Sequence, residues 1–283
     1  MATTSDRARA APAASSSSSN AAPSLGSSSS ATPVISTVGD ATIPLTAEAQ
    51  GGEQVGPEAV ARGAFIVLEG MDRSGKTTQV KLLQSRFIEA GRKVQLMRFP
   101  DRTTPTGQII NQYLSSSATL PDQSIHLLFT ANRWEAAPTI ASLLAQGVTV
   151  VCDRYYYSGM VYSAAKGNAS LGLAWARAPE AGLPRPDAVL FLDLSEDSAR
   201  ERGGFGEERY ETVEMQRRVR ALFWGLKGGE VEGVPFVEER DDLLVVDAGK
   251  SVEEVAEEIW RVVRPRVEGV ERGELGAEVR RVS

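Results

Sequence analysis

A glycine-rich pattern, GxxxxGKT, follows an apolar run near the start of the chain's folded part. The pattern occupies residues 70–77, and the apolar run before it is Phe65–Leu68. A strand, a glycine-rich turn and a helix start in this order wrap backbone N–H groups around nucleotide phosphates. Lys76 brings a positive charge to the β- and γ-phosphates, and the hydroxyl of Thr77 suits Mg²⁺. The pattern therefore predicts a site for a nucleoside triphosphate with its metal.

Further charged and aromatic residues stand beside other predicted strands. Arg102 follows one apolar strand, and Asp153 and Arg154 follow another. Parallel strands end at the same edge of a sheet, where α/β proteins bind ligands, so these residues are expected to meet the phosphate-binding loop. Phe129 and Arg133 lie on the helix before the second of these strands. The alternative interpretation is an ordinary core role for Phe129 and solvated or ion-paired surface roles for the arginines.

These positions depend on an alternation of strands and helices along the chain. Short apolar runs predict five strands, and a 3.6-residue periodicity predicts the helices between them. Near-continuous apolar runs are typical of a parallel sheet covered by helices on both faces. The sequence therefore predicts a three-layer α/β/α fold with a five-stranded parallel sheet. The strands are expected at about 64–69, 93–98, 148–152, 188–193 and 243–246, and the main helices at about 77–90, 107–114, 122–145 with a break near Pro138, and 252–263.

The N-terminal segment differs in composition from the rest of the chain. Residues 1–61 are rich in Ala, Ser, Thr and Pro and have almost no aromatic residues. Such a segment cannot bury enough apolar surface to offset the entropy lost on ordering, so we expect it to be disordered. Arg7 and Arg9 in an acid-poor context make a mitochondrial transit peptide the alternative to a plain flexible tail. The folded domain is predicted at 62–270, with a charged tail at 271–283.

The composition argues against several kinds of partner and site. A net charge of −6 and a pI of about 5.1 argue against a surface that binds duplex nucleic acid. Cys152 and His126 are the only residues of their types, which excludes an intrachain disulfide framework and a metal site built from cysteines or histidines. No run of about 18 apolar residues is present, so no transmembrane helix is predicted. We therefore expect small-molecule substrates rather than a nucleic acid or a membrane.

Six segments of the chain form one pattern, and they are LEGMDRSGKTTQ at 68–79, RFPDR at 98–102, HLLFTANRWE at 126–135, DRYYYSG at 153–159, GLPRPD at 182–187 and RGGFGEERYE at 202–211. Taken together, these segments resemble the thymidylate kinase family, in the form found in eukaryotic cytoplasm and nuclei. The resemblance covers nearly all of the predicted domain and is more specific than the phosphate-loop pattern alone. It implies transfer of the γ-phosphoryl group of ATP to dTMP in dTTP synthesis, Mg²⁺ as cofactor, and a homodimer in the cytoplasm or nucleus.

The resemblance also implies an acceptor site. Arg102 and Arg154 would hold the acceptor phosphate, whose oxygens match the planar donors of a guanidinium. Phe129 would stack on the thymine ring, and Arg133 would donate to its carbonyl. Tyr162 would lie against the C2′ edge of the sugar, where a ring leaves no room for a 2′-hydroxyl. The implied dTMP-binding set is completed by Asp72 and Gln216 at the 3′-hydroxyl, by Phe99 beside the base, and by Gly159.

On the donor side, Thr77 and Asp153 are expected to hold the metal. The family takes the arginine that stabilises the migrating phosphoryl group either from the phosphate-binding loop or from a flexible lid, here residues 202–211. The stretch 203–208 inside this lid has no basic residue, so Arg73 in the loop is the expected supplier. The acceptor phosphate is already ionised, so no general base is needed. The predicted catalytic residues are Arg73, Lys76 and Arg154, and the predicted ATP-binding residues are Arg73, Ser74, Gly75, Lys76, Thr77, Thr78, Arg202 and Lys250.

Two other functions use a similar phosphate-binding loop. A deoxynucleoside kinase phosphorylates a hydroxyl and needs a carboxylate as general base, for which Glu69 is the candidate by proximity. Arg102 as a ligand of the acceptor phosphate favours a monophosphate substrate instead. A nucleotide-operated switch of the GTPase type would carry an Asn-Lys-x-Asp motif that reads guanine, and the sequence contains none.

Overall fold

The structure of the chain is a computed structural model that describes residues 61–201 and 208–283. The segment predicted as an N-terminal tail falls outside the described residues up to residue 60. Most of the predicted lid, residues 202–207 with Arg202, also falls outside them. Only the last four lid residues, 208–211, are described.

Strands and helices alternate through the described residues, beginning with β1 at Phe65–Gly70. The elements in chain order are β1 (Phe65–Gly70), α1 (Lys76–Glu89), β2 (Val94–Arg98), α2 (Pro105–Leu114), α3 (Asp122–Ala145), β3 (Thr149–Asp153), α4 (Tyr156–Ala164), α5 (Leu173–Arg177), a 3₁₀ turn (Ala178–Glu180), β4 (Ala188–Asp193), α6 (Glu196–Glu201), α7 (Val213–Gly228), β5 (Glu230–Val231), β6 (Val234–Pro235), α8 (Val237–Asp242), β7 (Leu243–Asp247) and α9 (Val252–Glu271).

Five strands form one parallel sheet in the order β2-β3-β1-β4-β7. The central strands β1 and β3 are buried along their whole length, as their near-continuous apolar sequences predict. Helices α1 and α9 pack against each other and against the sheet, and α3 and α4 pack against β3 and β1. This confirms the predicted α/β fold with its five-stranded parallel sheet. None of the helices in the described ranges is both long and apolar enough to cross a lipid bilayer.

Two helices run through prolines, at Pro138 and Pro265. The predicted break near Pro138 is wrong, because α3 is continuous over 24 residues. Helix α9 likewise continues through Pro265 to Glu271, beyond the predicted end at residue 263. A proline inside a helix costs roughly 3 kcal/mol because it removes one hydrogen bond and crowds the preceding turn. Buried side chains on both sides of each proline outweigh that cost, and they are Arg133, Ala137, Ile140 and Leu144 in α3 and Val263, Val267 and Val270 in α9.

Some features of the described residues lie outside the elements that the sequence analysis placed. The hairpin β5–β6 has two residues in each strand, which is too short to give a periodic signal. Helix α8 has only six residues. The C-terminal residues, predicted as a charged tail, pair with the loop before β4, where Val282 is buried and exchanges backbone hydrogen bonds with Gly182 and Leu183 at 2.8 and 3.0 Å.

The apolar core has two parts. The larger surrounds the sheet. The smaller joins α2 to α3 through Ile110, Tyr113, Leu114 and Ile125, and Phe129 packs against it. This second cluster fixes the side of α3 that carries the predicted base-binding residues.

Candidate active site

A cleft of about 510 Å³ is lined by residues that follow β1, β2 and β3. This is the edge of the sheet at which a parallel fold collects its ligand-binding loops. One side of α3 and the beginning of α4 complete its wall. The predicted site residues that line it are Asp72, Arg73, Gly75, Lys76, Thr77, Thr78, Phe99, Arg102, Phe129, Arg133, Asp153, Arg154, Gly159 and Tyr162.

Four predicted site residues are not among those that line the cleft. Ser74 lies within the loop and accepts a hydrogen bond from Lys76 at 3.2 Å. Gln216 lies behind Asp72 and donates a hydrogen bond to its carboxylate. Lys250 is exposed and pairs with Glu258 at 3.4 Å. The fourth, Arg202, is outside the described residues.

The phosphate-binding loop depends on glycine at two positions. Gly70 has a φ of 139°, and a Cβ there would lie 2.7 Å from the carbonyl oxygen of Leu192. Gly75 has a φ of 90° and begins α1 without a side-chain cap. The first N–H groups of a helix have no partner within it, and the helix dipole adds positive potential there. The start of α1 is therefore built to bind an anion.

Lys76 is held inside this loop. Its Nζ donates to the carbonyl oxygen of Met71 and to the hydroxyl of Ser74. Burial and the neighbouring Arg154 lower the pKa of Lys76 to about 7, with Asp72 acting in the opposite direction. A bound phosphate would favour the charged form of this lysine.

Two oxygen donors of the cleft are already in contact. The hydroxyl of Thr77 donates to Oδ2 of Asp153 at 2.7 Å. Hydroxyl and carboxylate oxygens are the donors that Mg²⁺ prefers, and Mg²⁺ keeps several waters and phosphate oxygens in its shell. The described residues contain no cluster of three or more His, Cys, Asp or Glu suited to a metal, so an all-protein cage is not formed among them. The pair at Thr77 and Asp153 fits an ion that needs few protein ligands.

Arg154 lies at the centre of the cleft. Its backbone has a φ of 69°, and its guanidinium bonds to the carbonyl oxygen of Gly70 and the hydroxyl of Ser158, each at 3.0 Å. It also forms an ion pair with Asp72. Burial opposes the charge on Arg154, but Tyr162 and Asp72 outweigh burial and hold its pKa above the ordinary value. Arg154 is therefore a permanent positive charge beside the phosphate-binding loop.

Asp72 is held as a carboxylate. Burial alone would raise its pKa, but Arg154 and Lys76 act against burial and keep the pKa below its usual range. Gln216 donates to Oδ2 of Asp72 at 2.6 Å and accepts from its backbone N–H at 2.9 Å. These contacts fix a carboxylate that can accept a hydrogen bond from a hydroxyl.

Glu69, the candidate general base, is not among the residues that line the cleft. It is fully buried and accepts hydrogen bonds from the backbone N–H groups of Tyr155 at 2.7 Å and Ser158 at 3.1 Å. The hydroxyl of Ser158 also donates to it. Burial raises its pKa, against the effect of these hydrogen bonds. Glu69 thus holds the start of α4 and does not face a substrate.

The loop after β2 is tied to α3 by an amide. Asn132 accepts from the backbone N–H of Asp101 at 2.8 Å and donates to its carbonyl oxygen at 3.1 Å. Arg102, the next residue, reaches the cleft and bonds to Asn111 at 2.9 Å and to Glu208 at 2.7 Å. The Phe99–Pro100 peptide in this loop is cis. Sequence reasoning missed the role of Asn132, although it lies within the segment 126–135.

A buried ion pair stands behind Arg133. Nε of Arg133 donates to Oε2 of Glu180 at 2.9 Å, and Nη2 contacts the other carboxylate oxygen. Thr130 donates to the same carboxylate at 2.7 Å. Gly159 lies against Arg133, and a Cβ there would be 2.5 Å from Nη2. No sequence pattern marks Glu180, because it stands alone in a loop of alanine, proline and glycine.

A second buried polar pair borders the same end of the cleft. Nδ1 of His126 lies 2.7 Å from the hydroxyl of Ser163, which lines the cleft. Burial and the charge of Arg133 lower the pKa of His126 to about 4. The histidine is therefore neutral near pH 7.

The described end of the predicted lid closes another side of the cleft. Tyr210 packs on Tyr162 with ring centroids 5.8 Å apart, and Tyr162 is nearly buried. Glu211 lies 3.9 Å from Arg73, and Glu208 pairs with Arg102. Sequence reasoning missed these lid residues because it assigned a ligand-binding role in this segment only to Arg202.

Comparison with known proteins gives one family. The family model described as thymidylate kinase matches residues 68–259. Thymidylate kinase of Schizosaccharomyces pombe is 46% identical over 202 residues, which are 71% of this chain and 92% of that protein. Thymidylate kinase of Homo sapiens is 45% identical over 204 residues, 71% of this chain and 90% of that protein. Among solved structures, thymidylate kinase from Candida albicans matches with a TM-score of 0.67 and 34% identity, over 78% of this chain and 99% of that one.

Proposed function

The chain belongs to the thymidylate kinase family, and we propose that the cleft described above carries out the family's reaction with the residues named below. The reaction is the phosphorylation of dTMP to dTDP, a step of dTTP synthesis, so the protein is a kinase. One observation carries the assignment of the site. A phosphate-binding loop and two further arginines, Arg102 and Arg154, line the same cleft, so it offers separate positive groups to a triphosphate and to a monophosphate.

The donor side is formed by the phosphate-binding loop. ATP binds with its phosphates along the first N–H groups of α1, and Lys76 neutralises charge on the β- and γ-phosphates. Thr77 and Asp153 would hold Mg²⁺, because they present two hard oxygen donors 2.7 Å apart at this end of the cleft. When bound, the ion supplies charge neutralisation on the phosphate oxygens.

The acceptor side is formed by residues after β2 and β3 and on α3. Arg102 and Arg154 hold the phosphate of dTMP, while Phe129 and Arg133 contact its base. The carboxylate of Asp72, fixed by Gln216, accepts a hydrogen bond from the sugar 3′-hydroxyl. Tyr162 fills the space that a 2′-hydroxyl would need, which selects a deoxyribose.

Catalysis requires positioning and charge stabilisation rather than a base. Phosphoryl transfer passes through a loose transition state that spreads negative charge over the equatorial oxygens. Arg73, a residue of the phosphate-binding loop, lines the cleft, and we assign it to that charge. The buried arginine Arg154 brings the acceptor phosphate in line with the donor and shields the repulsion between two anions.

The geometry disfavours a deoxynucleoside kinase. That reaction needs a carboxylate within reach of the acceptor hydroxyl, and Glu69 is instead bonded to the start of α4. An ADP-release assay with thymidine and dTMP as separate acceptors tests this choice. We expect ADP release with dTMP and none above background with thymidine. Release with thymidine alone would overturn the assignment of Arg102 and Arg154 to an acceptor phosphate.

A homodimer through α3 completes the proposal. An apolar stripe of exposed residues runs along this helix at Leu127, Ala131, Trp134 and Pro138. Leu127 and Trp134 are 48% and 40% exposed, and contiguous exposed apolar residues of this kind mark protein–protein interaction sites. A second copy of the chain would bury this stripe. Sedimentation equilibrium should give twice the chain mass, and Leu127→Glu should give the mass of a single chain.

A further inference from the structure

The ion pair between Arg133 and Glu180 is buried and is not an ordinary surface ion pair. The two side chains are 3% and 0% exposed. Two hydrogen bonds join them, and Thr130 donates a third to the carboxylate. Removing two charges from water costs free energy that their attraction only partly returns, so apolar residues of similar size would often stabilise such a site as well.

A second buried pair shows what a purely structural version looks like. Arg62 bonds to both carboxylate oxygens of Asp187 at 2.8 Å, and the same carboxylate accepts from the backbone N–H of Phe65 at 2.9 Å. Neither residue is among those that line the cleft. The pair Arg133–Glu180 differs in one respect, because Arg133 lines the cleft and Glu180 does not. Arg133 therefore faces the space for a ligand, and Glu180 holds Arg133 from the side away from the cleft.

The contacts leave one part of the guanidinium for a ligand. Nε and Nη2 of Arg133 bond to Glu180. Among the described residues, Nη1 makes no hydrogen bond that meets normal geometry. Gly159 lies directly against the guanidinium, and a Cβ there would come within 2.9 Å of Nη1. The absence of a side chain at Gly159 keeps this edge open to the cleft.

We propose that Glu180 is the positioning residue that sets base selectivity, by locking Arg133 so that Nη1 can only donate into the cleft. The inference rests on the proposed contact of Arg133 with the base. A guanidinium has donors and no acceptor. Held in one orientation, the guanidinium can donate from Nη1 to a base that has a carbonyl oxygen opposite it. A base with an amino group there binds less well, because two donors would then face each other. Thymine has a carbonyl at its 4-position, where cytosine has an amino group.

The variant Glu180→Gln tests whether Glu180 fixes the orientation of Arg133, with dTMP and dCMP as the two acceptors compared. The amide keeps the size of the side chain but loses its charge and one acceptor, so Arg133 can turn. We expect the KM for dTMP to rise about tenfold and kcat to stay within about threefold. The preference for dTMP over dCMP, as a ratio of kcat/KM values, should fall at least about tenfold.

Asp187→Asn is the matched control. It removes the same charge from an equally buried carboxylate paired with an arginine, at a place away from the cleft. We expect a lower melting temperature and an unchanged ratio of dTMP to dCMP. If the control shifts that ratio as much as Glu180→Gln does, the effect is a general result of weakened folding and Glu180 has no special role.

A double-variant cycle separates this inference from the proposed function. If Glu180 acts through Arg133, then Glu180→Gln should change the ratio little further once Arg133→Gln is present. A large ratio change with Arg133→Gln and none with Glu180→Gln would overturn the inference and leave the proposed base contact intact. No ratio change with Arg133→Gln would instead overturn that base contact.

Glu180→Asp covers the case in which Glu180→Gln does not fold. The aspartate keeps the buried charge but withdraws it by one methylene, so the two hydrogen bonds to Arg133 lengthen or break. We expect a folded protein whose preference for dTMP over dCMP falls by several-fold. An unchanged preference in a folded Glu180→Asp protein, with no folded Glu180→Gln protein to contradict it, would overturn the inference.

Discussion

The base end and the phosphate end of the cleft hold their arginines in different ways. At the base end, Arg133 is paired with a fully buried carboxylate on the 3₁₀ turn. At the phosphate end, Arg102 is paired with Glu208, and these side chains are 37% and 35% exposed. Arg73 lies 3.9 Å from Glu211 in the same lid segment. The base end is thus preformed, while Arg102 and Arg73 at the phosphate end lie beside carboxylates that an incoming phosphate can replace.

The free energies explain this difference. A half-exposed ion pair contributes roughly 0–1 kcal/mol, because water and salt screen it. Breaking a buried pair by removing one partner costs about 3–5 kcal/mol. A phosphate with nearly two negative charges can therefore displace Glu208 from Arg102, but no ligand displaces Glu180 from Arg133. In the proposed function, base recognition is therefore set before binding, and the substrates complete the arrangement around the phosphates.

The largest effect is expected at the phosphate end, from Arg73→Ala. Turnover should fall at least about a hundredfold, because an arginine that stabilises the migrating group contributes about 10³ to 10⁵ in rate. ATP affinity should change by no more than a few-fold, since Lys76 and the loop N–H groups remain. Steady-state kinetics and ATP titration measure the two quantities, with the exposed Arg217→Ala as control. Near-normal turnover would show that Arg73 has no catalytic role.

The buried base end is expected to make folding stability depend on pH through His126. Burial and Arg133 lower the pKa of His126 to about 4 in the folded protein, against about 6.5 in the unfolded chain. As the pH falls, the unfolded chain takes up the proton first. The contribution of neutral His126 to the free energy of unfolding is therefore fully present above pH 6.5. It is lost progressively as the pH falls to 4.

Between pH 8 and pH 5 this loss should amount to about 2 kcal/mol. Urea unfolding of the wild type and of His126→Gln at both pH values measures it, since the variant removes this titration and leaves all others. Equal pH dependence in the two proteins would show that the base end is not held by a neutral buried histidine.

Tyr162 packs against the guanidinium of Arg154, 5.1 Å from its ring centre, and tests whether the proposed sugar pocket is also preformed. In Tyr162→Gly the space for a 2′-hydroxyl opens, so the preference for dTMP over its ribonucleotide counterpart should narrow about tenfold. The kcat/KM ratio of the two acceptors measures this. An unchanged ratio would mean that another group excludes the 2′-hydroxyl.

The smallest effect is expected from Glu208→Gln. This change removes the carboxylate that competes with the acceptor phosphate for Arg102, and the half-exposed pair is worth at most about 1 kcal/mol. The KM for dTMP should fall by no more than about fivefold, whereas the exposed Glu214→Gln should leave it unchanged. A large rise in KM would show that Glu208 helps to bind the substrate and does not stand in for it.

The sheet and most of the cleft were accessible to sequence analysis for physical reasons. Apolar runs mark buried parallel strands, and the ends of such strands meet at one edge of the sheet. The elements missed were those without a periodic signal, such as the hairpin β5–β6. The continuity of α3 through Pro138 was also missed, because tertiary packing decides it.

Within the site, the residues proposed to touch substrates lie in recognisable motifs, while their supporting partners do not. Glu180 reaches Arg133 across 47 residues of sequence, and Glu208 reaches Arg102 across 106. Such pairings depend on how loops fold back on the sheet, which a local pattern does not contain. Glu69 was the opposite case, since proximity in sequence suggested a base and its hydrogen bonds show a structural role.

Binding of a single molecule that joins ATP to dTMP through their phosphates tests most directly whether one cleft holds both substrates. Titration calorimetry with Mg²⁺ should give one site per chain, and the compound should inhibit competitively against ATP and also against dTMP. Competition with only one of the two substrates would contradict a cleft in which the loop at Gly70–Thr77 grips the donor while Arg102 and Arg154 present the acceptor.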